Sequence, residues 1–211
     1  MLSNINNNII ITNPNIDQGQ LLKELNIKGK FYADIVHWTT LFLLPVFLLF
    51  DYLFLPDSWV DMLLVRVIVA VLTYVVYMVG RKQKWRYYKT VSVFISINVV
   101  VNATICVVVD VNNMLPYFLL MSIIFLLFNT TIFWKPYFSF LQCGLALFVS
   151  AVLFRVFHKY ASYEDLVNHG GGIFFVLSIL SCFLANNRYQ LILRDIINTM
   201  TVNQAVKKAN N

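Results

Sequence analysis

Charged residues are scarce in this sequence. They make up 12% of 211 positions, about half the share of a soluble domain. With 59% of the residues hydrophobic, a water-soluble globule of this length is excluded, and the chain calls for a lipid solvent. Cysteine is nearly missing as well. Cys106, Cys143 and Cys182 each fall inside an apolar run, which leaves no zinc spacing and no disulfide framework. They read as small core residues. The first thirty residues are polar and rich in asparagine, so no apolar signal-peptide segment opens the chain. GxGxxG, Walker, GxSxG, HExxH and CxxC patterns are all absent, and with them the common catalytic constellations and cofactor cradles. The three histidines, His37, His158 and His169, are scattered. Neither a catalytic residue, a resident metal nor a cofactor is expected.

What remains is a series of long apolar runs. They lie at Ile35–Leu55, Met62–Val79, Thr90–Val109, Leu115–Phe133, Tyr137–Phe157 and Ile173–Ala185. Most have the length that a bilayer demands of a helix. None alternates apolar with polar residues, which argues against a β-barrel. The expected fold is therefore all-α: an integral membrane six-helix bundle with a cytoplasmic exit helix. Residues 1–30 form a tail, 31–187 the six-span bundle, and 188–211 a signalling helix that opens a coiled coil. Within the tail, the Asn/Ile-rich tract looks loosely attached. Leu21, Leu22, Leu25 and Ile27 then give a short surface helix, with packing and lipid contact equally open to it. Pro45 stands mid-span, where a kink is expected.

The stretch Gly80–Lys89, GRKQKWRYYK, carries five cations in ten residues: Arg81, Lys82, Lys84, Arg86 and Lys89. In a soluble protein such a patch would suggest nucleic acid. Between two apolar spans it reads as a topology loop, with Arg81, Lys82, Lys84, Trp85 and Arg86 at the lipid headgroups, so no nucleic-acid partner is expected. Its face of the bundle collects 13 of the 16 basic residues, and the opposite face 6 of the 10 acids. That asymmetry puts both termini in the cytoplasm of a multi-pass protein of the bacterial inner membrane.

Polar residues at membrane depth are costly and therefore informative. Arg66 lies one turn inside span two. Asn98, Asn102, Cys106 and Asp110 recur every fourth residue and share one face of span three. An Arg66–Asp110 pair is expected, with Asp51 and Arg155 as competing partners. Two readings stay open. These residues, with Tyr74, Tyr77, Asn129, Gln142 and Ser150, are either hydrogen-bonding glue between helices or the lining of a ligand pocket in the outer half. Arg66, Asn98, Asn102, Asp110 and Tyr74 are the candidate ligand contacts. Beyond span six, Ile192, Ile196, Thr199, Asn203 and Val206 follow a 4-3-4-3 spacing, the seam of a coiled coil or one side of a solvated tail.

Three strings carry a resemblance: FLLPVFLLFDYLFLP (Phe42–Pro56), LLVRVIVAVLTYVVY (Leu63–Tyr77) and NRYQ (Asn187–Gln190). With the six-span layout, they resemble the N-terminal sensory membrane domain of bacterial receptor histidine kinases and class III adenylate cyclases. Among these, the α-hydroxyketone quorum-sensing receptor kinases look nearest. The resemblance implies a homodimer that perceives a small lipophilic signal and drives an output enzyme through the sixth helix. It also implies a role for Arg66, which matches an arginine of that layout. No kinase or cyclase motif occurs up to Asn211, so on this likeness the chain would be a sensory domain without its output enzyme. A small six-helix transporter or channel is the alternative. It would need a polar path or paired broken helices.

Overall fold

The computed structural model describes residues 18–209, without the side chains of Lys207 and Lys208. The expected loose tract therefore lies outside the described residues as far as position 17. Six helices are long and apolar enough to cross a membrane, and no strand occurs among the described residues. They are α1 (Gln18–Phe54), α2 (Trp59–Lys82), α3 (Tyr87–Val108), α4 (Met114–Thr131), α5 (Pro136–Phe157) and α6 (Gly172–Ala209). The fold is an all-α six-helix bundle of the multi-pass membrane type.

Local chemistry sets the breaks. Pro56 follows Leu55 at the end of α1, and a turn closes there with Ser58 N–H donating to Leu55 O at 3.0 Å. Ile132 and Lys135 are extended at the link from α4 to α5. Lys135 precedes Pro136, which disfavours helix before it and suits the first helical position after it. Before α6 a single turn, Tyr163–Leu166, is closed by a capping box between Ser162 and Asp165. The following π-turn bends at Gly170, whose φ is 110°. A side chain there would be strained, and its Cβ would lie 2.9 Å from Phe118.

The core runs through α3 and α4. Ile95, Ala103, Val107, Met114, Phe118, Phe154 and Phe174 are buried within one cluster. Helix α3 packs mainly on α5 and α2, and α4 on α6. The α1–α2 hairpin lies against this core, and most of the α2 surface remains apolar and uncovered.

Two helices greatly exceed a bilayer. α1 has 37 residues and α6 has 38, each about 55 Å long against a hydrocarbon core of about 30 Å. The expected surface helix is no separate element. The chain passes through residue 30 without a break, and α1 also continues through Pro45. Beyond the bundle, the start of α1 packs antiparallel on the end of α6. Leu21, Leu193, Ile196, Ile197 and Met200 form a second cluster, with Leu25 and Ile192 against it. Lys28 Nζ donates to Asp195 Oδ2 at 2.7 Å. Packing thus takes Leu21 and Leu25, while Leu22 and Ile27 stay exposed.

Inside the chain α6 packs along a different stripe from the expected seam. Of Ile192, Ile196, Thr199, Asn203 and Val206, Ile196 is buried and Ile192 half-buried; the other three are exposed. The buried stripe is Tyr189, Leu193, Ile196 and Met200. It has the same 4-3-4 rhythm but is turned around the helix, and its partner is α1 of the same chain.

Candidate functional site

At the acidic end of the hairpin, Arg66 and Asp51 face each other from α2 and α1. Both are buried, at 6% and 0% exposure. Arg66 Nη2 donates to Asp51 Oδ1 at 2.9 Å and Nε donates to Oδ2, the bidentate fork that suits a guanidinium. Tyr117 of α4 donates its hydroxyl to Asp51 Oδ1 at 3.0 Å. The guanidinium also lies 4.8 Å from the Phe47 ring centroid. Arg66 thus takes Asp51, the competing partner, and not Asp110. Asp110 sits exposed in the α3–α4 turn, where its carbonyl accepts from Asn113 N–H at 2.8 Å. Arg155 is on the surface over the Tyr163 ring.

Arg66, Asn98 and Asn102 do line one space, together with Thr40, Phe47 and Thr73. Its volume is about 30 Å³, one water's share of space. A lipophilic ligand has no room there. The asparagine amides bond within their own helix, Asn98 Nδ2 to Phe94 O at 2.9 Å and Asn102 Nδ2 to Asn98 O at 2.8 Å. Glue between helices comes from other residues. Asn129 Nδ2 donates to Ser181 Oγ at 2.9 Å, joining α4 to α6. Gln142 Nε2 donates to Ser96 Oγ at 2.9 Å, joining α5 to α3.

The roomier site lies at the basic end of the same hairpin. A cavity of about 380 Å³ opens between α1, α2 and the start of α3. Asp34 and His37 enter it from α1, one turn apart, and Tyr77 and Arg81 from α2. Tyr77 donates its hydroxyl to Asp34 Oδ1 at 2.7 Å, and Arg81 Nη1 donates to the Tyr77 hydroxyl at 3.2 Å. The His37 ring stacks on the Tyr77 ring at 4.2 Å, the planes 6° apart. His37 is 2% exposed, yet neither ring nitrogen has a hydrogen-bond partner among the described residues. A buried, unpaired donor or acceptor costs about 1–3 kcal/mol. Tyr74, a candidate contact, stands beside this cluster, its ring 6.0 Å from His37 and 46% exposed.

The basic loop forms the rim. α2 ends in a Schellman motif: Trp85 N–H donates to Gly80 O at 2.9 Å, and Lys84 N–H to Arg81 O at 3.2 Å. The motif needs a left-handed residue, usually glycine. Here Lys84 fills it, with φ 53°. Lys30, Arg81 and Lys84 line the cavity, and none of them has a carboxylate at ion-pair distance among the described residues. Lys82 and Arg86, grouped with them in the sequence, do not line it.

Tyr87 closes one side of the cavity. It lies so close to α1 that any Cβ on Gly29 would meet its ring at 2.5 Å. Tyr87 stacks on Phe133 at 6.3 Å and 12°, and Phe133 on Tyr189 of α6 at 5.2 Å and 16°. Three aromatic rings thus join the cavity wall to α6. In the sequence His37 is one of three scattered histidines. The spacing of Asp34 and His37 on α1, with Tyr77 and Arg81 four apart on α2, was the available signal. Comparisons of the chain with protein-family models, curated proteins and solved structures give no match.

Proposed function

We propose that the chain is a membrane sensory module: a small amphiphilic signal occupies the cavity at the basic end, and α6 carries the response. With the basic face in the cytoplasm of a bacterial cell, the signal reaches the cavity from the inner leaflet. Its apolar part lies against Val36, Val91 and Phe94, and its polar part meets His37, Arg81 and the two lysines. The output would be a histidine kinase or nucleotide cyclase driven by α6, as the resemblance of the sequence implies. The observation that carries this reading is the stacked path Tyr87–Phe133–Tyr189, from the cavity wall to a helix that leaves the bundle unbroken.

A signal shifts such a module only by favouring one of two arrangements. Occupation that displaces Tyr87 also displaces its stacking partners, and Tyr189 belongs to α6. The transport alternative needs a polar path across the bundle, and the crevice at Arg66 and Asn102 has room for one water.

The test uses the protein in lipid nanodiscs with spin labels at Lys82 and Val202. A series of medium- and long-chain hydroxyketones and fatty acids is titrated while Trp85 emission and the label distance are followed. At least one compound should change both, and Phe133→Ala should keep the emission change while losing the distance change. Flux of any of these compounds in liposomes, with no change in label distance, would favour the transporter.

A further inference from the structure

A second cavity, of about 500 Å³, lies on the other side of Tyr87. Three cations line it from three separate parts of the chain: Lys23 of α1, Arg86 before α3 and Lys135 before α5. Among the described residues no carboxylate lines it. Two helices also begin there. Arg86 and Lys135 are the N-cap residues of α3 and α5. Both are extended, and neither helix has a side-chain cap. The positive ends of two helix dipoles therefore border one concavity. That is a setting in which an anion binds.

The walls are amphipathic. Arg86 Nη1 donates to the Tyr88 hydroxyl at 3.2 Å, and Tyr137 and Phe138 continue the lining. Tyr137 is half exposed, and Leu141 and Phe148 follow on α5 at 59% and 68% exposure. These positions, four and eleven residues beyond Tyr137, share one helix face. An apolar track thus leads from the cationic cavity toward the middle of the bundle.

We infer that this cavity is a binding site for the phosphate of an anionic phospholipid from the leaflet on the basic face, with an acyl chain on the Tyr137–Leu141–Phe148 track. The charges and helix ends fit any phosphate. The track favours a lipid over a free one. The site is separate from the signal cavity, although both touch Tyr87. A bound lipid would also join the start of α1 to the starts of α3 and α5.

The experiment uses delipidated full-length chain in a neutral detergent. Its thermal midpoint is followed against phosphatidylglycerol, phosphatidylcholine and soluble glycerol phosphate. Phosphatidylglycerol should raise the midpoint saturably, and the other two should not. Lys23→Gln, Arg86→Gln and Lys135→Gln should each weaken that lipid about fivefold. Lys82→Gln, on the same face but outside the cavity, should leave it unchanged. An equal loss in Lys82→Gln would mean attraction to the whole face and overturn the site. Equal protection by glycerol phosphate would overturn the lipid. Should the variants fail to fold, quenching in the unmutated protein decides. Phosphatidylglycerol brominated on its chains should quench aromatic emission more than brominated phosphatidylcholine does, and equal quenching overturns the site.

Discussion

The two ends of the α1–α2 hairpin make an instructive pair. Each is tied by a carboxylate on α1 and a polar side chain on α2. At the acidic end, Asp51 accepts from Arg66 and Tyr117, and the adjoining space holds about 30 Å³. At the basic end, Asp34 accepts from Tyr77, yet His37 beside it has no hydrogen-bond partner among the described residues and the cavity holds about 380 Å³. A polar cluster with every member paired fastens helices. A cluster that buries an unpaired ring next to free volume has capacity for a ligand. The hairpin depends on such ties because α1 and α2 each bury 17% of their most apolar window, against 50% for α3.

Asp51→Ala should separate the two ends most. It strands Arg66 as an unpaired buried cation, at an expected loss of about 3–5 kcal/mol, read from the thermal midpoint in nanodiscs. Adding Arg66→Met should restore most of that loss. A double variant as unstable as the single one would mean that the ion pair does not fasten this end.

His37→Phe should act in the opposite direction. It keeps a ring on Tyr77 and removes both unpaired nitrogens, so stability should rise by about 1–3 kcal/mol while the response to an amphiphile falls. A less stable variant would show that His37 is paired after all, and the contrast between the ends would collapse. Lys84→Gly relieves the left-handed strain at the rim, with a gain of about 1 kcal/mol. The same change removes a rim cation, so titration should show weaker binding of a carboxylate-headed amphiphile. The smallest effect belongs outside the bundle. Lys28 and Asp195 are exposed by 38% and 67%, so Lys28→Met should change the midpoint by no more than about 0.5 kcal/mol. A larger drop would make the α1–α6 stalk more dependent on charge than on the packing of Leu21, Ile196 and Met200.

Much of the fold was legible. Six spans, the tight turns at Pro56 and Pro136, and the continuous sixth helix all follow from hydropathy, proline and the absence of helix breakers. Arg66 was legible as a residue needing a partner, because an intramembrane cation without one is too costly. Which acid it takes was not. Asp110 stands near the same depth, and depth is what a sequence reports. The asparagines of α3 looked like a lining because they share a face, yet their amides turn back to their own carbonyls. His37 and Tyr77 are 40 residues apart, and nothing local announces that their rings stack.

The sequence by itself determined the six apolar spans and the uneven distribution of charge between the two faces. Each is a sum over neighbouring residues and is independent of how helices are arranged. The tertiary structure alone decided which end of the hairpin closes and which stays open. It also decided that the stripe Tyr189, Leu193, Ile196 and Met200 turns toward α1, and that Arg86 and Lys135 meet Lys23 around one cavity. Those outcomes depend on which helices become neighbours and at what rotation. Hydropathy cannot encode that, because in lipid an apolar face is equally satisfied by a lipid tail or by another helix.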